Sequence, residues 1–279
     1  MKKEFIYIEM IVQLTLTILK PILFILSLLP FGFAILQINS NLPTTMKVLL
    51  ISLSLVISPV ILVLLIGLII RFLPNIPSGK HNFFSKQHYN WLIKDFIYET
   101  IVTSAFLNNL VIRIKPIRYI FYTLVGMPNR SLIILANDVR ILDPDKISIG
   151  ELTFIGINTL ISGHIVRSGK LMLQDVNIGN ENIIGAFCSI ISGVKTGEKC
   201  KIDSFVTLNN NVTIGNNSVV LGKSLIDSYV KIGNNVRVGK SCIIGSNTII
   251  EDNAIIGDYL RIGSNKIIKK GEFVKTDML

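Results

Sequence analysis

Two patterns of apolar residues divide the chain. In the first 72 residues they run together: Val48 to Ile70 is a charge-free stretch of 23 residues, longer than the ~20 needed to cross a hydrocarbon core. Residues 21–38 form a second such stretch, which extends back toward Ile11 if Lys20 snorkels. Pro30 and Pro59 fall inside these stretches, where kinks are tolerated in lipid-buried helices. The pattern predicts a transmembrane α-helical hairpin over residues 1–72. A signal peptide is a weaker reading of the first stretch, given Glu9, its length and the lack of a small-residue cleavage site.

From Ile178 the apolar positions recur every six residues. Sixteen consecutive hexads follow, fifteen of them opening on Ile, Leu or Val, with Thr196 the exception. Gly stands second in nine, and the fifth position is mostly small or β-branched, as at Cys188, Val194, Cys200, Val206 and Val212. Six residues are too few for a helix-pair repeat. One side chain per hexad would point inward from a short strand, and the Gly or Asn after it is expected to take a backbone angle that other residues resist. Such turns stack, each burying its neighbour's face, which predicts a parallel β-helix over residues 141–279.

Three earlier hexads begin at Ile149, Ile155 and Ile161. Counting on from Ile161, the frame breaks at 167 and resumes at Met172, so residues 167–171 (RSGKL) form a five-residue excursion. His164, the one histidine in the C-terminal half, lies just before it. Loops that leave a rigid scaffold often carry function.

Residues 73–140 follow neither pattern. Leu92, Phe96, Glu99, Ile101 and Val102 make an imperfect helical stripe that Pro116 ends, with Trp91, Tyr98, Tyr119 and Tyr122 interspersed. Two readings stand: amphipathic helices at a membrane surface with the aromatics at headgroup level, or a helical subdomain packed on its neighbour. His81 and His88 are expected to be surface or interface residues rather than ligands.

Composition supports a membrane association. The chain is 50% hydrophobic with a mean hydropathy of +0.58. The net charge is +10, concentrated between Arg71 and Arg140, where nine Lys and Arg face three acids. Without a helix-turn-helix or an aromatic platform this does not read as nucleic-acid binding. Attraction to anionic membrane lipids fits better. Lys2, Lys3 and Lys20 precede the hairpin and Arg71, Lys80 and Lys86 follow it, while the connector at 39–45 is uncharged. Both ends are therefore expected in the cytoplasm, at a bacterial-type inner membrane. Cys188, Cys200 and Cys242 all occupy the small fifth position with no C-x-x-C spacing. They read as reduced core residues rather than nucleophiles.

The hexads resemble those of the hexapeptide-repeat acyltransferases, whose fold is a left-handed β-helix of three hexads per coil. ISGH followed by a loop and then VNIGNENIIGA is similar to the catalytic stretch of the galactoside and maltose acetyltransferases. PSGKH (77–81), DPDKISIG (143–150) and His164 twelve residues before Val176 also resemble the membrane-anchored C-terminal region of ε-polylysine-type peptide synthetases.

The resemblance implies that His164 is a general base, taking a proton from an acceptor hydroxyl or amine that attacks the thioester of an acyl-CoA, with acetyl-CoA as co-substrate. Imidazole, titrating near neutrality, suits that role. Asp175 or Asp143 would orient it. A backbone N–H near Gly163 would stabilise the oxyanion, and Arg167 and Lys170 would meet CoA phosphates. The acceptor would be membrane-proximal, such as a lipid-linked sugar, a surface-polymer precursor or an amine, and the protein a homotrimer. Two further readings remain: a subunit that takes its acyl group from a carrier protein, and a non-catalytic membrane scaffold. A single repeat histidine per chain disfavours the three-histidine zinc site of γ-carbonic anhydrases.

Overall fold

The computed structural model describes residues 2–128 and 132–279; Arg130 of the basic stretch, and the side chains of Lys2 and Lys3, lie outside what it describes. The chain forms two compact units, one of residues 1–76 and 84–125, the other of residues 77–83 and 126–279. The boundary expected at 140/141 thus falls at 125/126, and a piece of the linker joins the second unit.

The first unit is helical. Its elements are α1 (Lys2–Ser27), α2 (Leu29–Leu36), α3 (Thr44–Phe72), α4 (Lys86–Val102), α5 (Ala105–Arg113) and α6 (Lys115–Leu124). Among the described residues one helix, α3, is long and apolar enough to cross a bilayer. It buries one face, with Ser54, Ser58, Leu62, Ile66 and Ile70 at i, i+4 spacing and Val63 and Gly67 beside them. Gly67 lies on the same side, where a Cβ would come within 3.1 Å of Leu124, so α6 crosses α3 closely there.

The earlier apolar run is not one straight span. Thr17–Ser27 and Leu29–Asn39 form a pair bent by 41°, which would cross only as a broken helix. Pro30 explains the break. It stands in the first turn of α2, where its missing N–H costs nothing, rather than in a helix interior.

The linker helices form a subdomain packed on α3, and their aromatics do not lie together at a surface. Tyr98, Phe121 and Tyr122 are buried, with Tyr98 and Phe121 stacked at 6.0 Å, whereas Tyr119 is exposed. His88, expected at a surface or an interface, is also buried. Its Nδ1 accepts the Phe84 N–H at 3.3 Å, and its ring stacks on Trp91. That bond engages the N–H just ahead of α4, whose cap is Ser85. His81 is half-buried, its Nε2 2.9 Å from the Pro77 carbonyl.

The second unit is a parallel β-solenoid of about eight turns. Three sheets of eight, seven and seven short strands run along it. In the regular part each strand pairs with the one three hexads on, as Ile183 with Lys201 and Ser189 with Thr207. The first hexad position points inward: Ile184, Ile190, Ile202 and Leu208 are fully or almost fully buried, each worth roughly 1.5–3 kcal/mol against exposure.

The left-handed backbone angle falls at the fourth position, not at the second-position Gly. Glu181, Phe187, Lys199, Phe205 and Asn211 have φ of 55–62°. Second-position glycines serve a different need, the close approach of stacked coils. A Cβ on Gly185 would sit 2.5 Å from the Ser204 nitrogen, and one on Gly239 would meet the Gly257 carbonyl at 2.4 Å.

The fifth position carries a polar ladder. Ser218 and Ser224 donate to the carbonyls of Gly233 and Gly239, each at 2.8 Å. The cysteines do the same through sulfur: Cys188 to Asp203, Cys200 to Gly215 and Cys242 to Gly257, at 3.1, 3.0 and 3.0 Å. Burial raises all three thiol pKa values above the ordinary range.

Two outcomes follow. In the folded protein at pH 8 the three thiols should resist alkylation by iodoacetamide and react fully once guanidinium unfolds the chain, as counted by intact mass. Gly185→Ala should cost about 1–3 kcal/mol of solenoid stability in chemical denaturation, because the coil next to it must move.

Candidate functional site

The site arises where the solenoid departs from its repeat. Its first strands are β2 (Ile134–Leu135), β3 (Arg140–Leu142), β4 (Ile147–Ile149), β5 (Phe154–Ile155) and β6 (Leu160–Ser162). Ile141 pairs with Ile161, a coil two residues longer than three hexads. The excess lies at the corner between β3 and β4, where Asp143 takes a left-handed φ of 55° and opens a 3-10 turn over Pro144–Lys146.

One coil further on, Ile161 pairs with Ile190, a coil eleven residues longer than three hexads. The eleven extra residues leave at the same corner of the coil, after β6, and return into β9 (Val176–Ile178). The five-residue loop expected at 167–171 is therefore only the end of a longer protrusion.

That protrusion is a β-hairpin. β7 (His164–Arg167) and β8 (Lys170–Leu173) pair antiparallel, with Arg167 opposite Lys170. Ser168 and Gly169 close it, both at positive φ, as a two-residue hairpin turn of the primed type requires. Met172, expected to resume the hexad frame, belongs to β8. A third strand, β1 (Gly79–Asn82), pairs with the outer edge of β8, Gly79 opposite Leu173 and Asn82 opposite Lys170. It comes from the segment expected to be linker.

His164 is the first residue of β7. Its Nδ1 lies 2.5 Å from Asp143 Oδ2, and the two side chains are 19% and 7% exposed. Both corner insertions are needed for this pair, since one carries the carboxylate and the other the imidazole. Gly163 lets them approach. A Cβ there would come 2.8 Å from Lys146 Cβ and 3.0 Å from Asp143 Cβ.

The peptide joining Gly163 to His164 is held from several sides. The Gly163 carbonyl accepts the Gln174 N–H and the buried Ser192 hydroxyl, both at 2.9 Å. The Gly163 N–H donates to the Leu142 carbonyl at 3.2 Å. The His164 N–H donates to Ser162 Oγ at 3.3 Å, and that hydroxyl donates to the His164 carbonyl at 2.9 Å.

Of the two acids expected beside the imidazole, the structure places Asp143 there. Asp175 lies elsewhere, its Oδ1 accepting from Ser78 Oγ at 2.8 Å. An oxyanion donor is expected among the backbone N–H groups near Gly163, and the N–H of Gly163 itself is engaged by the Leu142 carbonyl. Arg167 and Lys170 stand exposed at the hairpin tip, away from the root that holds His164. Sequence reasoning missed Ser78, Ser162, Gln174 and Ser192. The hairpin did have a signal, Ser-Gly between HIVR and KLML; the hydroxyls had none, because serines fill the corners of many coils.

No protein-family model matches the chain. Over 75 residues, 27% of the chain, it is 36% identical to the putative acetyltransferase YvoF of Bacillus subtilis (strain 168). That stretch spans 44% of the relative, so the chain matches less than half of its length. Among solved structures, a UDP-N-acetylglucosamine acyltransferase aligns at 20% identity over 51% of this chain and 57% of its own, with a TM-score of 0.41. A mutant of GDP-perosamine N-acetyltransferase from Caulobacter crescentus, in complex with CoA and GDP-perosamine, aligns at 13% identity over 58% of this chain and 54% of its own, with a TM-score of 0.29. Nothing among the similarities supports the expected likeness to ε-polylysine-type peptide synthetases.

Gly163→Ala should lower solenoid stability by about 1–3 kcal/mol, since overpacking at a tight corner is costly. Gly169→Ala meets no atom within 4 Å of the added Cβ and should cost only the roughly 1 kcal/mol that a side chain costs at positive φ. Thermal melts of the two variants check the contrast.

Proposed function

We propose that the protein is an acyl-CoA-dependent acyltransferase, with acetyl the simplest acyl group, in which His164 is the general base. The observation that carries this reading is the 2.5 Å contact between His164 Nδ1 and Asp143 Oδ2 at the root of the hairpin. The stretch shared with the putative acetyltransferase of Bacillus subtilis supports it.

The chemistry follows from that contact. A carboxylate on Nδ1 holds the proton there, which leaves the Nε2 lone pair to accept one. An acceptor hydroxyl or amine gives its proton to Nε2 as its oxygen or nitrogen bonds to the thioester carbonyl carbon. The tetrahedral intermediate then collapses, the C–S bond breaks, and the imidazolium returns the proton to the departing CoA sulfur. The carboxylate stabilises the imidazolium between these steps, as in other base–orienter pairs. With both N–H groups at 163 and 164 engaged internally, the oxyanion donor must come from elsewhere.

Transfer is direct. The thiols are buried, hydrogen-bonded to carbonyls and held protonated by desolvation, so none serves as a covalent acyl carrier.

Around this core the reading adds a left-handed coil, a homotrimer and an anchor in a bacterial-type inner membrane with the solenoid on the cytoplasmic side. The support for the anchor is α3 and the bent pair before it. An anchored enzyme suits a membrane-proximal acceptor, such as a lipid-linked sugar or surface-polymer precursor.

His164→Ala should lower acyl-dependent CoA release by about 10²–10⁴-fold, and Asp143→Asn by roughly 10²-fold or more. The double variant should be no worse than His164→Ala alone, because the pair acts as a unit. Thiol titration of released CoA, with acetyl-CoA and a hydroxyl or amine acceptor, measures all three. Full activity in His164→Ala overturns the reading.

A further inference from the structure

We propose that the helical unit binds an anionic amphiphile, its hydrocarbon chain in a cavity between α1, α3, α4 and α5 and its acidic head on Lys20. The proposal does not rest on the acyltransferase reading. The cavity has a volume of about 670 Å³, within the ~300–1,000 Å³ usual for small-molecule sites. Phe24, Leu55, Leu62, Phe106 and Leu107 give it apolar walls.

Its hydroxyls offer little to a ligand. Ser27 donates to the Phe24 carbonyl and Ser58 to the Ser54 carbonyl, each at 2.7 Å. Lys20 is different. Its ammonium lies 3.8 Å from the centroid of the Phe96 ring, and no carboxylate among the described residues pairs with it.

The neighbouring surface of α1 is apolar, with Leu14, Ile18, Ile22 and Ile25 exposed. A lysine that merely snorkels extends its head toward water. This one instead covers an aromatic face beside an apolar cavity, a geometry that stabilises a cation. An ionisable residue in such a belt marks a site by default. The ligand that satisfies both halves carries a hydrocarbon chain and a phosphate or carboxylate, which a lone ammonium binds as a charge-assisted partner.

The test uses the purified full chain in detergent micelles, titrated with dioleoyl phosphatidic acid or dioleoyl phosphatidylcholine and read by native mass spectrometry. Phosphatidic acid should bind at least tenfold more tightly, the worth of one charged hydrogen bond. Lys20→Met should remove that preference. Lys201→Met, a solenoid substitution with the same change in net charge, should leave it intact, as should His164→Ala. Leu55→Trp should weaken both lipids by filling the mouth, and inorganic phosphate should not compete. Equal binding of the two lipids, an unchanged Lys20→Met, or an equal loss in Lys201→Met overturns the proposal.

Discussion

The second unit depends on one constraint, the close stacking of backbone on backbone every third hexad. At the second hexad position the coils approach so nearly that a Cβ on Gly185 or Gly215 would lie 2.5–2.6 Å from backbone atoms of the next turn. That closeness sets the other positions. The first can then be a fully buried Ile or Val. The fifth is mostly small or β-branched, and where it is a buried Ser or Cys it donates to the carbonyl fifteen residues on, as Ser218 and Cys242 do. The fourth must turn the chain, at a left-handed angle that even Phe187 and Phe205 adopt. Without the stacking, no single hexad has enough burial to offset the ordering of its backbone.

The same constraint decides where anything new can be added. An extra residue within a strand would shift every inward side chain outward, so insertions are confined to corners. The chain places two at one corner on successive coils: two residues at Asp143–Lys146 and eleven at Gly163–Leu173. The neighbouring regular coil supports them through Ser192, whose hydroxyl fixes the Gly163 carbonyl. The imidazole is thus carried by a protrusion but oriented by a rigid rod. That is the arrangement a positioned base needs.

Much of this could be read from the residues. The period of six identified the solenoid, because nothing else reconciles Ile every sixth residue with Gly after it. The same frame marked the fifth-position cysteines as core and placed His164 at the edge of a break. Asp143 is one of the two acids expected to orient the imidazole, and only three-dimensional stacking separates it from Asp175. The count of five excess residues fell short because Met172 and Leu173 are as apolar as a hexad start. Buried hairpin residues and buried coil residues look alike in one dimension. Glycine's role was misplaced for a related reason. Sequence shows that a position tolerates no side chain, but not whether angle or proximity forbids it. Pro30 was similarly ambiguous between a kink and a helix start. β1 could not be foreseen, because Gly79–Asn82 is too short and polar to show a strand pattern.

The paired insertions also bear on how the proposed chemistry avoids a covalent intermediate. A nucleophilic cysteine must be accessible and held as thiolate, and the solenoid offers neither condition. Its fifth position buries sulfur against a carbonyl, which favours the protonated thiol and closes the approach of a thioester. A corner insertion can expose a titratable group while the stacked coils keep it fixed. One insertion alone would present an imidazole with no orienting partner, or a carboxylate with nothing to orient. Two on adjacent coils of one corner, joined across a glycine, pair the imidazole with a carboxylate, as the proposed base would require. The fold that buries its thiols in the core therefore presents, where two corner insertions meet, the group that the proposed direct transfer would require.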